Sequence, residues 1–422
     1  MIDWVSVNQY KSNMHTHTTQ SNDPIEKFTT AYVVDRYHAA GYKILALTDH
    51  DYCTYPWDLF PQYMSGVAAR DAEALGMLAV PGNELSKDNT NSWDERTGGQ
   101  FNHHNDFFTG RHGQEFASLQ ESYAYTYALG GMQIINHPGQ YWNLSTTYSE
   151  TEKNGPGWHA TNFKTYPSLV GLEVYNQGNR RPNDRILWDQ ILERTMPERP
   201  VFGYSGDDTH NDEQLFRNYN MMLMEELTTE ELKDAMRKGE SYFCYEPKGS
   251  GEGKAPRITN IAVDEANKTI TIETNGMVSW IYGTDMTSSS ASSTRSSVVG
   301  IGNTFCYEGY QGAYVRAFIT NAYGETCTQP FGFTDSTMTD VENVAGNTEL
   351  KVFVFPNPAT DELRVMMNEA NTAEMICVYD ITGKEVMRQL VEGAMTTLPV
   401  SHLHTGIYLL KVNARQVKFI KD

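Results

Sequence analysis

Strand and helix patterns alternate through the first 247 residues, and this alternation limits the fold more than any other feature of the sequence. Repeated β–α units of this length predict parallel strands, arranged as an open sheet or as a barrel. The chain is therefore predicted to be of the α/β class. The candidate strands are Tyr42–His50, Met77–Glu84, Met132–Gly139, Val170–Asn176 and Val201–His210.

Helices are predicted between these strands from apolar spacing and from end signals. The segment Thr30–Ala40 carries an apolar stripe, and Gly41 follows it as a C-cap. A second helix is predicted at Asp184–Arg194. A third helix near residue 230 begins with Thr228 and Glu231 at the spacing of a capping box.

Polar side chains occur towards the C-terminal end of every candidate strand. In an α/β barrel these ends meet at one rim, where active sites assemble, so residues far apart in sequence are expected to converge there. The strand-end residues are Asp49, His50, Glu84, His137, Glu173, Asn176, Asp208 and His210.

A pair of histidines, His15 and His17, precedes the first of these strands. On a strand, residues i and i+2 share a face and lie roughly 6.5–7 Å apart, which lets two imidazoles share a metal ion. Imidazoles and carboxylates are ligands for Zn²⁺, Mn²⁺ and Fe²⁺. Each motif alone also fits a helix cap, a structural histidine or a polar surface. The joint occurrence on successive strand ends favours a site for two or three ions with a bridging carboxylate.

Residues 13–245 resemble the PHP family, named for polymerase and histidinol phosphatase, in five motifs that occur in order. HTHTTQSND is similar to the family's HxHTxxSDG, ALTDHD to its TDH, PGNE to its GxE, INHPG to its HPG, and GDDTH to its DxH. The resemblance implies a distorted (β/α)7 TIM-like barrel over residues 1–247, with two or three divalent ions (Zn, Mn or Fe).

The metal ligands follow from the resemblance, position by position. It implies one ion held by His15, His17, Glu84 and Asp208, a second held by His50 and His210, and a third held by Glu84, His137 and a histidine of FNHHNDFF. We expect His103 in that last place, with His104 as the alternative, because strand alternation lets only one of them face inward. Where the family has Asp after Ser, this chain has Asn22 followed by Asp23, so either residue is a candidate ligand.

The chemistry implied by the resemblance is hydrolysis of a phosphate ester in a small phosphorylated substrate, with a metal-bridged hydroxide as nucleophile. Cationic side chains are needed for the remaining phosphate oxygens. Arg180, beside Arg181, is the predicted substrate-binding residue, and solvated loop charge is the alternative. Asp49 is expected to orient a metal ligand. Two rival functions remain: a metal-dependent hydrolase of a non-phosphate bond on the same barrel, and a catalytically weak surface-binding or adhesion protein.

The last 170 residues read as β-structure. Residues 255–335 are predicted to be a β-sandwich of unknown role, and residues 350–422 another small all-β domain. The segments VFPNPATDELRV, VYDITGKEV and LHTGIYLLKV of the latter resemble the C-terminal sorting domain of type IX secretion. This resemblance implies an Ig-like β-sandwich, a secretion machinery as partner, and a secreted or cell-surface protein.

Charge and hydropathy limit the partners. The formal net charge of −20 opposes non-specific binding to nucleic acid, because an acidic surface repels phosphates. The sequence has no run of 18 apolar residues, so no transmembrane segment is expected. No apolar signal-peptide region is visible at the N-terminus, and we expect the chain to be a mature form of an exported protein.

Overall fold

The computed structural model describes most of the chain. The described residues are 2–21, 24, 27–58, 70–86, 102–112, 116, 118–143, 147–284, 296–334, 337–339, 352–355, 358–367, 374–391, 395–412 and 415–422. The chain divides into two compact units. The first comprises Met1–Ser86, Asn102–Gln114 and Gln133–Ala345, and the second comprises Lys87–Phe101, Glu115–Met132 and Gly346–Asp422.

Nine strands carry the part of the first unit that precedes residue 250. They are β1 (Asn8–Asn13), β2 (Ile44–Leu47), β3 (Leu78–Leu85), β4 (His104–Phe107), β5 (Met132–Ile135), β6 (Leu169–Asn176), β7 (Phe202–Gly206), β8 (Asn218–Met224) and β9 (Ser241–Tyr245). The described helices are α1 (Thr30–Ala39), α2 (Leu119–Ala128), α3 (Pro156–Thr165), α4 (Asp184–Thr195) and α5 (Thr229–Lys238), of which α2 belongs to the second unit.

The helices follow from the signals in the sequence. The Thr29 side chain caps α1 by accepting from the Tyr32 N–H, and Val33, Val34 and Tyr37 are fully buried along one face. Gly41, with φ +76°, adopts the left-handed conformation that ends this helix. Helix α5 begins after Thr228, whose side chain accepts from the Glu231 N–H. The three predicted helices are thus present, with ends within two residues of those expected.

The sheet of the first unit is mixed. Strands β1, β2 and β3 are parallel neighbours, and so are β5, β6 and β7. However, β4 runs antiparallel to β3, and β8 and β9 extend the sheet from β1 as antiparallel strands. The α/β class is confirmed, whereas an all-parallel sheet is not what forms. Strand β4 was not among the candidate strands, because its four residues, HNDF, include a histidine, an asparagine and an aspartate.

A closed barrel is not confirmed. The strand order runs β9-β8-β1-β2-β3-β4-β5-β6-β7, and no backbone ladder joins β7 to β8 among the described residues. A side chain bridges this gap: the amide of Asn220 accepts from the Ser205 N–H at 2.9 Å and donates to the Ser205 carbonyl at 3.0 Å. The Ser205 hydroxyl donates to the Cys244 carbonyl. Side-chain hydrogen bonds therefore connect the two strands between which backbone hydrogen bonds would be needed to close a barrel.

Strands after residue 257 continue this unit. They are β10 (Ile258–Asp264), β11 (Thr269–Thr274), β12 (Met277–Thr284), β13 (Ser296–Ile301), β14 (Thr304–Cys306), β15 (Tyr314–Thr320), β16 (Glu325–Thr328), β17 (Phe331–Thr334) and β18 (Thr337–Thr339). Strand β16 pairs with β9, so β12, β13, β15 and β16 extend the sheet of the first nine strands, while β10, β11 and β14 form a smaller sheet.

A buried ion pair fixes α4 against β15. The Arg316 guanidinium donates from Nε and Nη2 to the two carboxylate oxygens of Asp189, at 2.8 and 2.6 Å. The hydroxyls of Tyr314 and Ser296 also donate to Asp189. Arg316 is 1% exposed and Asp189 is fully buried, so the pair needs this set of hydrogen bonds to offset desolvation.

The division of residues 255–335 as a separate domain stays a prediction.

The second unit contains α2 and seven strands after residue 350. These are β19 (Val352–Phe355), β20 (Glu362–Met367), β21 (Glu374–Asp380), β22 (Glu385–Val391), β23 (Met395–Pro399), β24 (Gly406–Val412) and β25 (Arg415–Lys421). They form a three-stranded sheet, β19-β20-β23, and a four-stranded sheet, β22-β21-β24-β25. Alternate residues such as Tyr408, Leu410 and Val412 are buried in one shared apolar core. In the described part of the chain, no helix has the length and apolarity needed to cross a membrane.

Candidate metal centre

The two opening histidines lie just beyond β1, in a segment without regular secondary structure and not on the predicted strand. Asn13 accepts from the His15 N–H at 2.9 Å and holds this turn of the chain. The Nδ1 of His15 lies 2.8 Å from Oε1 of Glu173 and donates to it in the neutral imidazole. The lone pair of His15 Nε2 is therefore directed into the site, where a metal ligand needs it.

His17 is oriented by Ser21 and Asp49. The Ser21 hydroxyl donates to Asp49 Oδ1 at 2.9 Å and lies 2.8 Å from His17 Nδ1, so it accepts from that ring nitrogen. Thr18 donates to the same carboxylate from its N–H and its hydroxyl. Burial raises the pKa of Asp49, and these hydrogen bonds oppose the rise. Asp49 thus holds the loop that carries His17, and its role in orienting a metal ligand stays a prediction.

Glu84, near the end of β3, lies at the centre of the predicted site. Its Oε2 is 3.3 Å from His15 Nε2, 3.2 Å from His17 Nε2 and 3.2 Å from His50 Nδ1. Its Oε1 is 3.1 Å from His103 Nδ1 and 3.3 Å from His137 Nε2. One carboxylate that faces five imidazoles has the arrangement of a bridging ligand.

Asp208 follows β7 and faces Glu84 across His15 and His17. Its Oδ1 lies 3.1 Å from His17 Nε2, 3.5 Å from His15 Nε2 and 3.5 Å from His210 Nδ1. Asp208 has a φ of +47°, which is uncommon for a residue with a side chain. His137 also has a positive φ, +29°. Such backbone conformations concentrate at functional sites.

The structure brings seven of the eight predicted ligands together in three overlapping groups, and the eighth, His137, lies beside them. The groups are His15, His17, Glu84 and Asp208; then His17, His50 and His210; and then His50, Glu84 and His103. The first group equals one set implied by the resemblance. The second adds His17 to the predicted pair, and the third places His50 where His137 was expected. His137 instead contacts Glu84 at the edge of that group. The ligand roles themselves stay predictions.

His103 and His104 differ in what their side chains face, which bears on the prediction that one of them is a metal ligand. His103 faces Glu84, whereas Nδ1 of His104 lies 3.1 Å from the Asn102 carbonyl. Burial lowers the pKa of His104 to about 3, so this ring is neutral. Asn22 and Asp23 lie outside the described residues.

The donor set fits divalent cations. His15 Nε2 and His17 Nε2 are buried and make no hydrogen bond, although each lies within 3.5 Å of a carboxylate oxygen. Buried polar atoms without a partner are rare, and a bound ion is one of the ordinary explanations. Ring nitrogens and carboxylate oxygens that point at common centres are what such an ion requires.

Electrostatics of the cluster support the same fit. Burial alone would raise the pKa of Glu84 and of Asp208, but the surrounding imidazoles hold both well below the usual range. Burial alone would lower the pKa of His15, yet the carboxylates of Glu173, Asp208 and Glu84 hold it well above the usual value. The pKa of His17 is raised to about 10 in the same way. The carboxylates are therefore anionic, and positive charge is favoured between them.

Glu173 and Asn136, to which no role was assigned from the sequence, hold the predicted ligands in place. Besides His15, Glu173 accepts from the His137 N–H at 3.0 Å and from the Asn176 side chain at 2.9 Å. Asn136 donates to Glu84 Oε1 at 2.8 Å. The pattern of polar strand ends already contained Glu173, and its position on β6 was the signal for this role.

The predicted substrate arginine lies at the rim. Arg180 is exposed and donates from Nη1 to Gln177 Oε1 at 2.5 Å, while the Gln177 amide donates to Asp208. Arg180 is thus two hydrogen bonds away from a predicted ligand. Arg111 is buried in an ion pair with Asp106 and does not present a free guanidinium.

The C-terminal region of the chain matches a known protein family. Residues 353–422 match the family described as secretion system C-terminal sorting domain. The chain therefore ends in a sorting domain, as its motifs predicted. A search of curated proteins gave no match.

Several solved structures resemble the chain at low identity. One is a two-domain protein from Bacteroides vulgatus that contains a predicted PHP-like metal-dependent phosphoesterase, with 16% identity, 78% of this chain and 96% of that chain covered, and a TM-score of 0.42. Another is the lesion-specific endonuclease PfuEndoQ from Pyrococcus furiosus, with 14% identity, coverage of 55% and 56%, and a TM-score of 0.36. PorZ, a surface component of the type-IX secretion system of Porphyromonas gingivalis, shows 12% identity, coverage of 49% and 29%, and a TM-score of 0.16. Likenesses at this level do not establish a shared activity.

Proposed function

We propose that the first unit is a metal-dependent phosphoesterase and that the protein is exported. The observation that carries the proposal is the Glu84 cluster: one buried carboxylate faces five imidazoles, with Asp208 opposite and His210 beside it. The groups around Glu84 would hold two or three ions. Ions of this kind polarise a phosphoryl oxygen and lower the pKa of a coordinated water.

The protein's own residues prepare this chemistry. Glu173 and Ser21 fix the ring orientations of His15 and His17, so that both Nε2 atoms face the site without rearrangement. Glu84 and Asp208 supply the negative charge that reduces repulsion between neighbouring cations. Arg180, held by Gln177, is placed to donate to phosphate oxygens from its exposed side. The ester would therefore bind at the C-terminal rim of the strands.

The test is the metal content of the purified full-length protein, paired with turnover of aryl phosphates. A monoester and a diester of the same aryl group are assayed with wild type, His15→Ala and the control His38→Ala, an exposed histidine on α1. We expect bound metal and turnover in wild type and His38→Ala, and loss of both in His15→Ala. Metal without turnover of either ester would refute the phosphoesterase and favour the non-phosphate hydrolase. Turnover that survives His15→Ala would refute the assignment of the site.

Export is proposed from the sorting domain at residues 353–422. Deleting the segment after Ala345 should retain the protein inside the producing cell, and an exposed charge-neutral change in the same segment, His402→Gln, should not. Fractionation of cells, surface and medium gives the measurement. Equal export of the shortened chain would refute a sorting role for this segment.

A further inference from the structure

Two arginines near the proposed active site lack the partners that buried guanidinium groups normally have. Arg185, in the first turn of α4, is 2% exposed. Its Nη1 donates to Asn179 at 3.0 Å, but its Nε and Nη2 are buried and make no hydrogen bond. The Nε of Arg217 is also buried and makes no hydrogen bond. The described residues place no carboxylate within ion-pairing distance of either one. We call Arg185 and Arg217 the arginine pair.

The unused edge of Arg185 is the edge that binds carboxylates elsewhere in this protein. Arg316 uses Nε and Nη2 together for the two oxygens of Asp189, and Arg388 uses the same two atoms for Glu385. This fork is the geometry that matches a carboxylate or a phosphate. In Arg185 the fork is formed and buried, and no carboxylate of the residues that the structure describes fills it.

The two guanidinium groups share one neighbourhood. Arg185 stacks over Tyr175, with 4.7 Å between its Cζ and the ring centroid, and Tyr175 stacks on Tyr245 at 5.3 Å. Burial raises the pKa of Tyr245, and the charges of Arg217 and Arg185 both oppose the rise. Glu325, whose charge also acts on Tyr245, accepts from the Tyr175 hydroxyl at 2.6 Å. Burial raises the pKa of Asp184, beside Arg185, well above its usual range, so the two cations outweigh the engaged carboxylate of Glu325.

A short segment links this neighbourhood to the metal centre. Asn176 and Gln177 donate to Asp208 Oδ2 at 3.2 and 3.1 Å, and Asn179 accepts from Arg185. Three residue steps separate Asn176 from Asn179, which is at most about 11 Å of chain. The distance from the arginine pair to the predicted metal ligands is thus one that a small substrate can span. Both lie at the same end of the strands.

We propose that the arginine pair binds an oxyanion, the second acidic group of the substrate whose ester phosphate binds at the metal centre. The substrate class is therefore a phosphate ester that carries a carboxylate or another phosphate. This inference rests on the proposed function for its catalytic half. The oxyanion site itself does not depend on it.

Binding of the oxyanion is tested by thermal unfolding of the intact, metal-loaded protein in sulfate and in chloride at equal ionic strength. Wild type should melt at a higher temperature in sulfate, because a ligand that binds only the folded state stabilises it. Sulfate also stabilises folded proteins in general by exclusion from their surface, so Arg185→Met should keep only that general part of the difference. The variant should still fold, since it replaces an unpaired buried charge by an apolar chain. Arg217→Gln should reduce the difference, and the partly exposed control Arg237→Gln should keep it in full. If Arg185→Met showed the full wild-type difference between sulfate and chloride, the oxyanion site would be refuted. An ordered water would then be the partner of Nε and Nη2 of Arg185.

The substrate half is tested with ω-carboxyalkyl phosphates and their neutral methyl esters of equal length. Wild type should prefer the acid by roughly tenfold or more in kcat/KM, the effect of one charge-assisted bidentate contact. Arg185→Met should lose the preference, measured as the ratio of kcat/KM for the acid to kcat/KM for its neutral ester, and the control Arg237→Gln should keep it. Equal preference in both proteins would overturn the assignment to substrate. Absence of turnover for every ester, with a sulfate response that depends on Arg185, would refute the phosphoesterase and retain the oxyanion site.

Discussion

Replacing Glu173 by Gln should weaken metal binding without removing a predicted ligand. The carboxylate accepts from three donors: the His15 ring, the His137 N–H and the Asn176 side chain. A glutamine has one accepting oxygen and one donating nitrogen. If its oxygen keeps the two donors near Oε2, its NH₂ group faces Nδ1 of His15 and donates to it.

This reversal changes the tautomer of His15. When Nδ1 accepts a hydrogen bond, the ring proton moves to Nε2, the atom that faces Glu84 and Asp208. A protonated Nε2 cannot bind a metal. Loss of such an orienting partner typically costs 10- to 100-fold in metal affinity, or about 1.4–2.7 kcal/mol. The lost hydrogen bond is 2.8 Å long and fully buried, which places the expected effect at the upper end of this range.

The assay is competition between the protein and a chromogenic chelator for Zn²⁺ or Mn²⁺, with metal content after dialysis as a second readout. Glu230→Gln, on the exposed side of α5, is the control for loss of one carboxylate. Glu173→Asp should recover part of the affinity, because it restores an acceptor for His15. Wild-type affinity in Glu173→Gln, measured beside a His15→Ala protein that has lost its metal, would refute the tautomer argument.

Three further predictions follow from the geometry. His103→Ala should lower the number of bound ions, measured by elemental analysis, while His104→Ala should leave it unchanged, because only His103 faces the central carboxylate. Asp189→Asn should lower the free energy of unfolding by about 3–5 kcal/mol in a denaturant titration, and an Asp189→Leu, Arg316→Met double variant by much less, because only the single change leaves a buried charge unpaired. Burial lowers the pKa of Lys11 to about 8 from an unfolded value of 10.5. The unfolded chain therefore binds more protons in that window, and wild type should gain stability relative to Lys11→Met as the pH rises from 8 to 10.5.

The cluster of predicted ligands was largely predictable because most of its members share one property that the sequence displays. They lie at or just past the C-terminal end of an apolar strand, as His50 does after β2 and Asp208 after β7, whereas His103 lies just before β4. Parallel strands bring such ends together, so order along the chain translates into proximity. His15 and His17 were correctly expected beside them, although the chain at these residues is not a strand.

The direction and closure of the sheet were less predictable, because they depend on long-range pairing. Strand β8 follows β7 in sequence but pairs with β1, more than 200 residues away. The Asn220 amide that bonds to Ser205 lies in the strand NYNMMLM, whose two asparagines precede an apolar run and give no indication of a partner. Periodicity reports which face of a strand is buried, but it does not report the neighbour that buries it.

The roles of the arginines show the same difference between local pattern and folded neighbourhood. In the sequence alone, Arg180 and Arg185 look alike. Both are cations, one on a loop and the other at the start of the helix that follows it. In the fold Arg180 is exposed beside Gln177, whereas Arg185 is buried with an unused fork. A net charge of −20 repels an anionic ester at long range, but salt screens that repulsion beyond about 8 Å. Capture of the proposed ester would therefore come from contacts inside that distance, where a buried guanidinium has far more effect than a solvated one.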